Sequence, residues 1–220
     1  MEKLEGIIFD LDGVITDTAE FHYLAWKKLA DKFGIEIDRD FNETLKGVSR
    51  TDSLERILAY GGRSADFDAK EKAEMAEWKN DVYKEMIEAI QPSDILPGIE
   101  SFLKELKEAG IRTAIASASK NAEMILRSLG IRDQFDYVVD AAKIKKSKPN
   151  PEVFLKALEL LGLSADVCIG VEDAASGVDA IKDAKMRAVG IGSIDILGRA
   201  DLVLASTADL QLEQLRNIGN

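Results

Sequence analysis

Two carboxylates at i and i+2, in Asp10-Leu11-Asp12-Gly13, follow directly on the apolar run Ile7-Ile8-Phe9. If the chain stays extended, both project from the end of a strand; Gly13 also permits a turn there. Such a pair can serve a turn, each Asp bonding its own backbone. It can also hold a hard cation and move a proton. An EF-hand is excluded, because Gly13 follows at once and no closing Glu has the right spacing. A hairpin is weakly supported, since no alternating second strand follows. Three further positions carry chemistry of a matching kind. Ser117 precedes Ser119-Lys120-Asn121 at the start of an expected helix, which suits either a phosphate or a plain N-cap. Lys148-Pro149 precedes another helix start, although its neighbours Lys143, Lys145 and Lys146 read as a solvated basic run. Glu172-Asp173 follows an apolar strand; Asp173 could cap a helix from Ala174, or the two could ligate a metal.

These residues need a scaffold that brings them together. A strand is expected at Gly6–Leu11, then a region that reads as helical from Thr18 to about Ile90, with Phe21, Leu24, Ala25 and Leu29 as an apolar stripe. Gly34 and Gly61-Gly62 end helices within it, and Pro92 and Pro97-Gly98 close it. Beyond Pro97 the text alternates. Strands are expected at Arg112–Ala116, Tyr137–Val139, Asp166–Val171, Arg187–Ile191 and Leu202–Leu204. Helices are expected at Ile99–Ala109, Asn121–Leu129, Pro151–Leu161 and Ala174–Asp183. Alternation implies crossover connections and a parallel sheet with helices on both faces. The expected fold class is therefore α/β, a Rossmann-like doubly wound parallel sheet built from residues 1–15 and 94–220. An all-helical cap, residues 16–93, is inserted after the first strand. All four chemical signals then fall on one sheet edge, where ligands of open α/β sheets bind. Carboxylates, a lysine and a hydroxyl on that edge match what Mg²⁺ and a phosphoryl group require.

Composition narrows the ligand. A net charge of −11 makes nucleic acid and anionic membranes poor partners. An anionic substrate must then be gripped by a few local cations. The single cysteine, Cys168, excludes an intrachain disulfide, and the single histidine, His22, excludes a multi-histidine metal site. No membrane span is expected, and Glu2, Glu5 and Asp10 interrupt any signal-like start. A cytoplasmic protein is the expectation. Thr18, His22 and Trp26 fall at i, i+4, i+8 as a second helical stripe that starts where the cap begins and could face a cleft. For Trp26 a core position is the equal alternative.

Asp10–Val14, Ser117, Lys148-Pro149 and Glu172-Asp173 resemble the four motifs of the haloacid dehalogenase superfamily. The segments Phe9–Trp26, Leu45–Arg50 and Ser117–Asn121 are more specific and resemble the β-phosphoglucomutase family. The likeness spans nearly the whole chain, and is weakest in Gly61–Glu77 and after Gly192. One departure is Ala174, where many relatives carry serine. The resemblance implies a mutase that moves phosphate between C1 and C6 of glucose through an aspartyl phosphate and a bisphosphate. It implies Asp10 as nucleophile, Asp12 as general acid and base, and Mg²⁺ held by Asp10, the Asp12 backbone carbonyl and Asp173, with Glu172 through or near a water. It further implies a cradle of Ser117, the Ala118 amide and Lys148 for the transferring phosphoryl group, with a cis Lys148–Pro149 bond. Arg50, helped by Ser119, Lys120 and Asn121, would hold the second phosphate. Trp26, Leu45, Lys46, Gly47, Val48, Ser49, Ser53 and Lys79 would line the sugar site, Thr18 would belong to the hinge, and His22 would hydrogen-bond in the neighbourhood of Asp12 during closure. The implied partners are small-molecule sugar phosphates, bound by a monomer. Competing readings are a sugar-phosphate phosphatase, a phosphonate hydrolase with Lys46 or Lys79 as a Schiff-base lysine, and a non-catalytic small-molecule-binding regulator.

Overall fold

The computed structural model describes residues 4–218. Among them six strands form one sheet: β1 (Gly6–Phe9), β2 (Arg112–Ile115), β3 (Tyr137–Val138), β4 (Cys168–Glu172), β5 (Arg187–Ile191) and β6 (Leu202–Leu204). Their order is β3-β2-β1-β4-β5-β6, and every pairing is parallel. The chain winds from β1 to β3 on one side and from β4 to β6 on the other, so the switch point lies between β1 and β4. The expected doubly wound sheet is the one observed.

Alternation along β1 explains why its run is wholly apolar. Ile7 and Phe9 enter the core on one face and Ile8 the core on the other. Phe9 meets the rings of Phe102 and Phe135 edge-on at 6.2 and 6.1 Å. Between β1 and β2 run α1 (Ala19–Lys32), α2 (Arg39–Glu43), α3 (Arg50–Tyr60), α4 (Ala69–Ile87) and α5 (Ile99–Glu108). The remaining helices, α6 (Ala122–Ser128), α7 (Glu152–Leu161), α8 (Ala175–Asp183), α9 (Ile194–Leu197) and α10 (Leu212–Arg216), join or follow the later strands.

The helices α1 to α4 carry a core of their own, which includes Tyr23, Trp26, Leu29, Leu45, Leu54, Ile57 and Met75. The expected stripe on α1 is corrected here. Leu24 is exposed, and Tyr23, Trp26 and Ala30 turn inward beside Ala25 and Leu29. The helix ends expected at Gly34 and Gly61-Gly62 are observed, and the region divides into α1 to α4. Ser49 caps α3, accepting from the Asp52 amide, and Asp68 caps α4 in a reciprocal box with Glu71.

Two chain crossings tie this insertion to the sheet, and they are bonded to each other. Leu96 N donates to Ile15 O at 2.9 Å, Thr16 Oγ1 donates to Asp94 O at 2.8 Å, and Thr16 bridges Ile95 in antiparallel fashion. Among the described residues no helix is long and apolar enough to cross a membrane.

Candidate active site

Each expected site residue on the sheet sits at a C-terminal strand end. Asp10 is the first residue past β1, fixed by its amide donating to Val171 O at 2.9 Å. Ser117 stands two residues past β2, and its Oγ accepts from the Ser119 amide at 3.0 Å. Glu172 is the last residue of β4 itself, a correction to a strand expected to stop at Val171; its pairing with Gly190 of β5 extends the ladder. Asp166 and Val167, expected as strand, lie in a helical turn, Ala165–Val167, instead. Asp173 does not cap α8; Ala174 stands at the cap, and its amide donates to Glu172 Oε2 at 2.9 Å. The Lys148–Pro149 bond is cis, as expected.

Lys148 is fully buried and reaches both strand ends. Its Nζ donates to Asp10 Oδ1 at 2.6 Å and to Glu172 Oε1 at 2.5 Å. Burial works against its charge, but Asp10 and Glu172 outweigh burial and hold the ammonium above its ordinary value. Removing either partner of such a buried pair leaves an uncompensated charge, which costs about 3–5 kcal/mol.

The carboxylates here fit a hard cation. Asp10, Glu172 and Asp173 each offer an oxygen within 4.8 Å of the others. Lys148 engages one oxygen of Asp10 and one of Glu172, which leaves the second Asp10 oxygen and Asp173 for a cation. Burial first, then the charges of Glu172 and Asp10, push Asp173 well above the usual carboxylate range. A divalent ion would relieve that repulsion. Gly13 (φ +77°) makes the room: a Cβ there would lie 2.3 Å from Asp173 Oδ2.

Asp12 stands outside this cluster. Its Oδ1 accepts from Thr18 Oγ1, and its Oδ2 lies 3.8 Å from His22 Nε2. Burial first, then the charge of Asp10, push its carboxyl up to about 8. That value suits a group that must both give and take a proton near neutral pH. His22 stacks on Tyr83 with ring centroids 4.0 Å apart, and its Nδ1 meets Lys79 Nζ at 2.8 Å. Burial and the nearby charges of Lys79 and Arg50 keep the imidazole neutral, well below its ordinary value. Nδ1 then accepts from Lys79, so the ring proton sits on Nε2, facing Asp12. Lys79 is itself buried against the faces of Trp26 and Tyr83, and burial, then the charge of Arg50, lower it to about 7.

A cleft of about 370 Å³ joins these groups. Its sheet side presents Asp10, Asp12, Ser117, Ala118, Ser119, Lys120, Asn121, Lys148 and Asp173. Its helical side presents His22, Trp26, Leu45, Lys46, Gly47, Val48, Ser49, Arg50, Ser53 and Lys79. Trp26 meets both of its expectations, since it lines the cleft and belongs to the helical core. Thr18 and Glu172 do not line the cleft; they lie behind Asp12 and Lys148.

The two sides touch. Lys46 Nζ is 3.6 Å from Asp173 Oδ2, Ser176 Oγ donates to Lys46 O at 2.8 Å, Ser147 Oγ donates to Asp52 Oδ2 at 2.5 Å, and Asn121 Nδ2 donates to Asn80 Oδ1 at 3.0 Å. Sequence reading missed Tyr83, Asp52, Ser147 and Ser176, whose partners lie far away in the chain. Lys145, read as part of a solvated run, lines the cleft. The apolar Ile144 beside it was the available sign that this loop turns inward.

The model of the haloacid dehalogenase-like hydrolase family matches residues 4–185. The chain is 48% identical over 212 residues to a β-phosphoglucomutase of Bacillus subtilis (strain 168), covering 96% of this chain and 94% of that one. It is 29% identical over 219 residues to a phosphorylated carbohydrates phosphatase of Thermotoga maritima, with 98% of each covered. A crystal structure of a β-phosphoglucomutase from Clostridium difficile superposes with a TM-score of 0.95 at 51% identity, over 96% of this chain and 95% of that one. Likeness at that level, over nearly the full length, makes this chain a member of the haloacid dehalogenase-like hydrolase family, among the β-phosphoglucomutases.

Proposed function

We propose that this chain is a phosphomutase that interconverts β-D-glucose 1-phosphate and glucose 6-phosphate. The observation that carries the reading is a single cleft with Asp10 on its sheet side and Arg50 on its helical side. A sugar bisphosphate needs two anion grips on opposite walls, whereas hydrolysis of one phosphate needs one. The segments 1–15 and 94–220 form the core domain, and 16–93 forms a cap that closes over it.

Asp10 carries the phosphoryl group. Phosphorylated Asp10 faces the C6 hydroxyl of β-glucose 1-phosphate; Asp12 takes the hydroxyl proton as the oxygen bonds to phosphorus and the bond to Asp10 breaks. The bisphosphate turns end for end. Asp10 then attacks the C1 phosphoryl group, and Asp12 returns the proton to the departing C1 oxygen, giving glucose 6-phosphate and the phosphorylated enzyme. Lys148 and Ser117 hold the transferring oxygens, and Thr18 and the neutral His22 orient Asp12. Asp10, Asp173, Glu172 and the Asp12 backbone carbonyl are the residues that would hold Mg²⁺. When bound, Mg²⁺ supplies charge neutralisation for the phosphoryl oxygens. Arg50, with Ser119, Lys120 and Asn121, grips the second phosphate through a planar fork. The enzyme acts as a cytoplasmic monomer on soluble sugar phosphates.

A phosphatase differs only in the acceptor, water in place of sugar. The test is Mg²⁺-dependent conversion of β-glucose 1-phosphate, with glucose 6-phosphate and inorganic phosphate measured in parallel. The mutase reading expects glucose 6-phosphate in large excess. Stoichiometric phosphate release would replace it with the phosphatase.

A further inference from the structure

The guanidinium assigned to the second phosphate already has an anion on it. Arg50 Nη1 donates to Glu77 Oε2 at 2.9 Å. The other Glu77 oxygen accepts from Asn80 Nδ2 at 3.3 Å, and Asn80 Oδ1 accepts from Asn121 Nδ2 across the cleft at 3.0 Å. Arg50, Asn80 and Asn121 line the cleft. Glu77 stands at its margin on α4, its side chain 59% exposed against 18% for Arg50. Lys84 Nζ lies 3.7 Å from Glu77 Oε1, on the same helix, so a second cation is within reach.

We propose that Glu77 is a resident counter-ion of the second-phosphate site, one that occupies Arg50 until a phosphate dianion displaces it. This rests on the mutase reading for the identity of that dianion. The physical case is a competition for one fork. Glu77 brings one negative charge and uses one guanidinium nitrogen. A phosphate dianion brings nearly two charges and three acceptor oxygens, so it wins the site. The carboxylate leaves at low cost, because it is already mostly in water and has Lys84 beside it. Glu77 also holds Asn80, so the state of Arg50 and the Asn80–Asn121 contact between cap and core are set together. Glu77 thus sets the affinity threshold that any anion must clear at Arg50.

Calorimetric titration of the full-length enzyme with glucose 6-phosphate, in the presence of Mg²⁺, tests this. Glu77→Gln is expected to lower Kd about two- to fivefold, the range of an exposed ion pair. KM for β-glucose 1-phosphate should fall with it. In an Arg50→Ala background the same substitution should change neither constant, and Glu77→Asp should restore the wild-type affinity in part. Unchanged or weaker binding by Glu77→Gln would overturn the proposal, as would an equal effect with and without Arg50. Should the wild-type enzyme fail to interconvert glucose phosphates, the mutase reading falls alone, because the binding cycle reads Glu77 without turnover.

Discussion

Two carboxylates separated by one leucine have opposite surroundings, and that difference divides their labour. Asp10 is held by the Lys148 ammonium, while Asp12 is turned to Thr18 and a neutral His22 and pushed up to about 8 by burial and its neighbour's charge. Asp10→Asn should keep the fold, with a lowered melting temperature because buried Lys148 is left with Glu172 alone, and lose on the order of a thousandfold or more in mutase turnover. Asp12→Asn should cost about 10²–10⁴ in kcat while leaving KM for the sugar phosphate nearly unchanged, because the lost function is proton transfer. Substantial turnover by the first variant, or a KM effect alone in the second, would remove these assignments. Most of this inventory was legible in the sequence, for a simple reason. Asp10, Ser117 and Glu172 each stand at the end of a visible apolar run, and a parallel sheet gathers such ends without further information. Tyr83, beneath His22, and Glu77, on Arg50, were not legible, since nothing local couples them to partners more than two dozen residues away.

At the scale of elements, β4 and α8 share a problem of space. Glu172 is wholly buried under Lys148, and α8 passes so close that a Cβ on Gly177 would lie 1.9 Å from the Glu172 carboxyl carbon. Replacing a helical glycine by alanine normally stabilises by about 1 kcal/mol. Here overpacking, typically about 1–3 kcal/mol, acts against it, and displacing Glu172 disturbs the buried Lys148 pair as well. Gly177→Ala should therefore lower stability in a urea titration and reduce turnover together; a more stable, fully active variant would show that α8 has slack. Element boundaries followed the same logic of local against distant cause. β5 and β6 were read at their observed bounds, because their apolar runs are flanked by polar residues. The helix ends at Gly34 and Gly61-Gly62 were legible, whereas the start of α4 was missed although Asp68-x-x-Glu71 carries a capping-box pattern. The five-residue α10 was missed because its Leu212 and Leu215 owe their burial to the rest of the molecule.

Across the whole molecule, the cap loop meets the core at Gly47. Its φ of +70° and its place 2.8 Å from Ser176 Oγ and 3.2 Å from Lys148 Cδ, measured from where a Cβ would stand, leave no room for a side chain when the cleft is shut. Gly47→Ala adds about 1–2 kcal/mol of backbone strain, so KM for the sugar phosphate should rise roughly five- to thirtyfold. An unchanged KM would mean that the loop does not approach the core during turnover. The paired crossings at Ile15–Thr16 and Asp94–Leu96 carry a consequence of a mechanical kind. If the cap closes as proposed, two straps stitched to one another would act as a single pivot, which would resist twisting and sliding and leave one swing as the soft motion. The jaw carrying Arg50 would then sweep one arc relative to the anvil carrying Asp10. A device of that form works as a calliper: it gauges the span between two phosphates, and a molecule too long or too short leaves both ends of the gauge unseated at once.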